Sequence, residues 1–288
     1  MFLEYYNIEG TIDINNNRKD RVYQDINSWP NYKKDYEQLK QYIIDNYKNN
    51  IPRVLIRVYD GEFFFLQGVK KWNVGKRHVS RNLTPEFVKK FKDGVLSCDK
   101  FASHLTILPG GCMHKMYTSV FQDKKIDYPM EFFLAIVINK WIFKTFKNQI
   151  GLIGGYEKIK VIRELMKHKE YRDYLGIDYF QDYISVPERF SCDDPDNLDK
   201  HIKRELEKSN SKIFLFGIGI GKMAIAHKFK NYNNAIYIDV GSGLSALAGT
   251  TTKNRPYSAG WINYKLRNYD YSKMDPMDYG KDENIKLL

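Results

Sequence analysis

The sequence predicts an α/β fold in which a largely parallel sheet is flanked by helices on both faces. Three observations carry that prediction. Short β-rich runs alternate with stretches of helical period along most of the chain. The runs are apolar throughout instead of alternating, as strands buried on both faces must be. Gly-rich or acidic turns follow several of them, at the carboxyl ends where such sheets bind ligands.

Residues 1–30 are polar and weakly periodic, and read as an irregular N-terminal arm. The regular pattern starts at 31, where Tyr36, Leu39, Tyr42, Ile43 and Tyr47 share one helical face. VLIRV (54–58) is the first strand. Thr84-Pro85-Glu86 opens a helix whose buried stripe is Phe87, Val88, Phe91 and Val95. HLTIL (104–108) reads as a strand ending at Pro109-Gly110-Gly111, and a long helix follows Pro129. IGLIGG (150–155) is strand and turn, followed by the helical YEKIKVIRELMKH. YISV (183–186) is a strand, and Asp194-Pro195 starts a helix through about Lys208. KIFLF (212–216), the helical GKMAIAHKF and AIYIDV (235–240) complete the alternation. The expectation is a single Rossmann-like domain over 31–270 with a polar tail over 271–288.

Composition bounds the function. The 288 residues carry 46 Lys and Arg against 35 Asp and Glu, a formal charge of +11. That balance suits an anionic partner, although much of the excess reads as solvated surface. No basic run of five, zinc-finger spacing or RNA-recognition signature is present. Cys98, Cys112 and Cys192 are odd in number and widely spaced, which fits a reduced, cytoplasmic setting. The sequence shows no signal peptide, and FFLAIVINKWIF (132–143) is too short to span a bilayer. No GxSxG or HExxH motif occurs.

Four segments carry candidate chemistry. Arg57-Val58-Tyr59-Asp60-Gly61-Glu62 leaves the first strand with two carboxylates flanking a glycine. Such a pair can hold a hard divalent cation, with Gly61 providing a tight turn for convergence and Arg57 a contact to phosphate. Phe216-Gly217-Ile218-Gly219-Ile220-Gly221-Lys222 exposes backbone N–H groups before a helix, which suits phosphate, yet it matches neither the dinucleotide fingerprint nor the P-loop. Asp239, in Ile238-Asp239-Val240-Gly241-Ser242, is placed for ribose, metal or general-base duty. Arg255-Pro256-Tyr257 with Trp261-Ile262-Asn263-Tyr264 offers aromatic faces for sugars or bases. Each segment also has a plain structural reading: an Asp-Gly turn, tight strand–helix packing, an Asx turn, and a terminal segment packed on the domain. Arg81 with Asn82, and a stripe of Lys140, Lys144 and Lys147 on one helical face, are weaker signals.

Taken together, RVYDGE (57–62), GIGKMA (219–224) and IDVG (238–241) resemble the GT-D-type glycosyltransferases, over roughly residues 50–250. The resemblance implies that Asp60 and Glu62 bind Mn²⁺ or Mg²⁺ with Arg57 beside them, and that Gly219, Gly221 and Lys222 line a UDP-sugar. This chain has Ser242 where the family often has His, so no role of that His carries over. The expected activity is transfer of a sugar from a nucleotide-diphosphate donor, UDP-linked foremost, to a glycan hydroxyl on a glycoprotein or lipid carrier. Gly217 would join the turn that carries the diphosphate, and Asp239 or, second, Glu131 would act as base. A lipid-linked acceptor would place the protein at a membrane surface. Two other classes stay open: an S-adenosylmethionine-dependent methyltransferase built around Asp239, and a non-catalytic basic module for an anionic glycan or nucleic acid.

Overall fold

The structure, a computed structural model, describes residues 32–68, 83–104, 107–110, 113–122, 124–250 and 264–274. The N-terminal arm, Arg81, Asn82, Gly111, Cys112 and the segment from Arg255 to Asn263 lie outside the described residues.

The described chain builds one seven-stranded sheet with every pairing parallel. The strands are β1 (Arg53–Val58), β2 (Lys100–Ser103), β3 (Tyr128–Pro129), β4 (Ile150–Gly155), β5 (Asp182–Val186), β6 (Ile213–Gly217) and β7 (Ile236–Asp239). Their order is β3-β2-β1-β7-β6-β4-β5. The apolar runs occupy its middle, and side chains on both faces of β1, β4, β6 and β7 are buried.

Helices cover the two faces. Helix α1 (Tyr32–Lys48) buries Tyr36, Leu39 and Ile43 on one face. Helices α2 (Asp60–Leu66), α3 (Pro85–Leu96) and α4 (His114–Phe121) follow β1 and β2 on the other. Thr84 caps α3, its hydroxyl accepting the Phe87 N–H at 3.2 Å, with Pro85 at the first position. Beyond β3 come α5 (Met130–Ile138) and α6 (Trp141–Phe146), and beyond β4 come α7 (Tyr156–Leu165) and α8 (Lys169–Leu175), all on the α1 face. Helix α9 (Pro195–Leu206) returns to the α3 face, and Asp194 caps it by accepting the Asn197 N–H at 3.0 Å.

Several sequence expectations need correction. The strand expected at 104–108 lies instead at Lys100–Ser103. Asp127 fixes that register, accepting the Phe101 N–H at 2.8 Å and pairing with Lys100 at 2.9 Å, while the Ser103 hydroxyl donates to the Val58 carbonyl at 2.6 Å. The long helix after Pro129 is two helices, broken where Lys140 takes a left-handed backbone with φ 60°. Lys140 and Lys147, both with positive φ, flank α6, so the expected lysine stripe does not share one helical face. The helix expected across 221–229 keeps α geometry only over α10 (Lys222–Ile225), between the 3-10 turns Gly219–Gly221 and Ala226–Asn231. Near the end of the described residues, Tyr271 packs against the core and Met274 is buried in it.

Candidate active site

Chain direction at the end of the sheet determines where the site can form. From β1 the chain passes into α2 on the α3 face. From β7, its neighbour, it passes into α11 (Ser242–Leu247) on the opposite face. Adjacent parallel strands whose continuations diverge leave a crevice between their carboxyl ends, the place where open α/β sheets bind ligands.

Asp239 is fully buried at the end of β7, where three donors and one further charged group meet its carboxylate. Its Oδ2 takes the Lys222 ammonium at 2.7 Å and the Arg57 backbone N–H at 3.2 Å. Its Oδ1 takes the Gly241 N–H at 3.1 Å and lies 3.3 Å from Arg57 Nε. Lys222, 1% exposed, also reaches Glu62 Oε1 at 2.7 Å. Glu62 Oε2 accepts the Tyr59 N–H at 3.2 Å, which caps α2. Arg57, Glu62, Lys222 and Asp239 are thus one hydrogen-bonded cluster joining β1, β7 and the turn after β6. Burial opposes charge on Glu62, but Lys222 and Arg57, with the Lys222 and Tyr59 hydrogen bonds, outweigh it and bring its carboxyl from 4.5 to about 2.

Gly61 does not form the tight turn expected of it. It is helical and buried inside α2. Residues two apart on a helix do not share a face. Asp60 is therefore exposed, with one oxygen on the Gly61 N–H at 2.7 Å, while Glu62 turns inward to Lys222. Among the described residues, no group of three or more His, Cys, Asp or Glu side chains is placed to hold a metal ion. The donor set fits a Mg²⁺-type ion only in the mode that uses one or two carboxylates and completes its shell with substrate phosphates and water.

The glycine turn lies directly beside this cluster. Gly219 is exposed with φ 61°, Gly217 is partly exposed, and Gly221 is buried. A Cβ at Gly217 would sit 2.7 Å from the Gly241 carbonyl oxygen, so the two strand ends touch through glycines. With only four α-helical residues behind it, the turn offers backbone N–H groups but little helix dipole.

Glu131, the second candidate base, is buried at the start of α5. Its Oε1 lies 3.2 Å from Nε2 of the equally buried His104, whose ring packs on Tyr59 at 4.7 Å between centroids. Burial lowers His104 to about 4. No motif spacing in the sequence marks His104 or its pairing with Glu131.

No protein-family model and no curated protein matches the chain. Among solved structures, it is similar to a glycosyltransferase from Streptococcus sanguinis that carries the domain of unknown function 1792, with TM-score 0.46 and 10% identity over 86% of this chain and 92% of that one. A selenomethionine-substituted structure of the same domain gives TM-score 0.45 and 12% identity over 84% and 87%. Another structure, in which domain 1792 has a distinct glycosyltransferase fold, gives TM-score 0.44 and 14% identity over 84% and 87%.

Proposed function

We propose that the chain is a glycosyltransferase that takes a sugar from a nucleotide-diphosphate donor, UDP-linked foremost, to a hydroxyl of a glycan acceptor. The observation that carries this reading is the Arg57–Glu62–Lys222–Asp239 cluster beside the glycine turn, in the crevice between β1 and β7. The residue resemblance to GT-D-type enzymes points the same way.

The chain's own residues divide the work. Backbone N–H groups around Gly217 and Gly219 lie at the strand end where a diphosphate would sit. Arg57, partly exposed, faces the same opening and adds a guanidinium for phosphate oxygens. Lys222 is too deeply buried to touch a ligand in this conformation. It neutralises Glu62 and Asp239 beneath the site. Asp239, fully buried and held by three donors with Arg57 against it, is a positioning residue for Lys222 and Arg57, and its lone pairs are poorly placed for general-base work or for a ribose. That geometry weighs against a methyltransferase built on Asp239. Glu131, paired with His104, is as deeply buried as Lys222, so it would serve as base in an inverting reaction only in a conformation that opens it to the acceptor.

Mn²⁺ or Mg²⁺ held by Asp60, with Glu62 joining if Lys222 yields it, would supply Lewis-acid neutralisation of the departing diphosphate. No described helix is long and apolar enough to cross a membrane.

The test is thermal unfolding with UDP, GDP, CMP and S-adenosylmethionine, each with and without Mn²⁺, followed by release of UDP from UDP-sugars. A rise of several degrees with UDP only when Mn²⁺ is present supports the reading. A rise with S-adenosylmethionine alone overturns it.

A further inference from the structure

A second crevice opens at the carboxyl ends of β4 and β5. Their continuations also diverge, α7 to one face of the sheet and α9 to the other. It holds a cavity of about 810 Å³, within the range of small-molecule sites. Two aromatic rings stand at its rim, Tyr156 at 56% and Phe190 at 42% exposure. Ser185, Asp193, Asn197 and Arg204 also line it.

Phe190 is the most informative of these residues. Its φ of 56° is left-handed, which a bulky side chain adopts only under strain, and strain of this kind concentrates at functional sites. The turn is closed by the Asp193 N–H on the Phe190 carbonyl at 3.0 Å. A strained backbone that presents an apolar ring to water gains nothing for the core.

The lining selects one ligand chemistry. Acidic Asp193 and Asp194 are balanced by Lys200 and Arg204, so the cavity suits a neutral ligand better than a polyanion. Aromatic faces beside hydroxyl, amide and carboxylate groups match a sugar, which has one apolar C–H face and a rim of hydroxyls that both donate and accept.

The cavity adjoins the charged cluster. The Ser191 hydroxyl donates to the Ile218 carbonyl at 3.3 Å, and a Cβ at Gly221 would lie 2.9 Å from Leu198 and 3.3 Å from Ser191. Three strand spacings, about 14 Å, separate β7 from β5. A ligand of two or three rings spans that distance.

We propose that this cavity is the acceptor subsite, binding a neutral oligosaccharide by stacking on Tyr156 and Phe190 with its reactive hydroxyl directed toward the glycine turn. The role as acceptor rests on the glycosyltransferase reading, whereas the sugar site itself does not.

Saturation-transfer NMR and titration calorimetry on the full chain, with maltose, cellobiose, lactose and chitobiose as probes, test the proposal. The variants are Tyr156→Ala and Phe190→Gly, and the glycine removes the ring while relieving the backbone, so that chain folds. Saturable binding of at least one disaccharide, weakened about tenfold or more in both variants while the UDP–Mn²⁺ thermal shift is unchanged, is the expected result. No saturable binding of any probe, or binding indifferent to both variants, overturns it. So does loss of the UDP shift in these variants, which would place the nucleoside in the cavity. Disaccharide binding that the variants abolish, in a protein that UDP and Mn²⁺ never stabilise, would leave the sugar site standing and remove the transferase reading.

Discussion

The Arg57 guanidinium lies against Gly241 so closely that a Cβ there would overlap it. Gly241 also has φ 43°, a left-handed backbone that disfavours any side chain. The glycine after the Asp of β7 is thus required by an arginine from β1. Gly241→Ala should expel the guanidinium from Asp239 Oδ1 and lower stability by about 1–3 kcal/mol, read from the urea midpoint at unchanged m-value. A midpoint equal to the parent's would show that Arg57 has other room.

Lys222 bridges two carboxylates, the buried Asp239 and the half-buried Glu62. Lys222→Met leaves Glu62 and Asp239 without it and should cost about 3–5 kcal/mol. Adding Glu62→Gln to that variant should recover part of the loss, because one stranded charge disappears. Additive losses in this double-mutant cycle would mean that Lys222 and Glu62 are not coupled.

Glu62 gives the fold a defined acid sensitivity. Its folded value near 2 lies below the usual 4.5, so the unfolded chain binds more protons between those values. Stability from this group is complete above pH 4.5 and is lost as pH falls toward 2, by about 3 kcal/mol in all. Glu62→Gln should flatten that part of the profile of unfolding free energy against pH. A parental and a variant profile that run parallel from pH 5 to 2 would refute the assignment.

Asp60 is exposed and outside the buried cluster, so Asp60→Asn should change stability by no more than about 0.5 kcal/mol. It should nonetheless remove the Mn²⁺-dependent stabilisation by UDP. Retention of that stabilisation would assign the cation elsewhere.

The apolar strands were legible because burial on both faces leaves no ambiguity: VLIRV, KIFLF and AIYIDV each hold a strand within a residue of its expected bounds. The strand Lys100–Ser103 was not, because its two apolar residues are weaker than the HLTIL run beside it, and its register comes from Asp127, distant in sequence. The DGEFFFL helix was hidden for a related reason. Its glycine suggests a turn, while the capping by Glu62 that starts it is seen only once Tyr59 and Lys222 are in place. At the site, the sequence identified Arg57, Glu62, Lys222 and Asp239 individually. It did not show that they neutralise one another, which depends on β1 and β7 being neighbours. Phe190 and Tyr156 carry no motif, and only the backbone strain and the cavity single them out.

That neighbouring pair has a cost in time. The Arg57 N–H and the Asp239 carboxylate it meets are 182 residues apart in the chain. Closing so long a loop precedes any gain from the contacts it brings, which slows folding. During synthesis, β1 emerges early and waits with one edge unpaired until β7 arrives, and unpaired edges of this kind invite aggregation. Truncated chains that stop before 236 therefore lack both the cluster and the strand that shields β1. Pulse-labelled hydrogen exchange during refolding should find the amide of Arg53, which donates to the Ala235 carbonyl at 3.3 Å, protected in the same late phase as those of Tyr237 and Ile238.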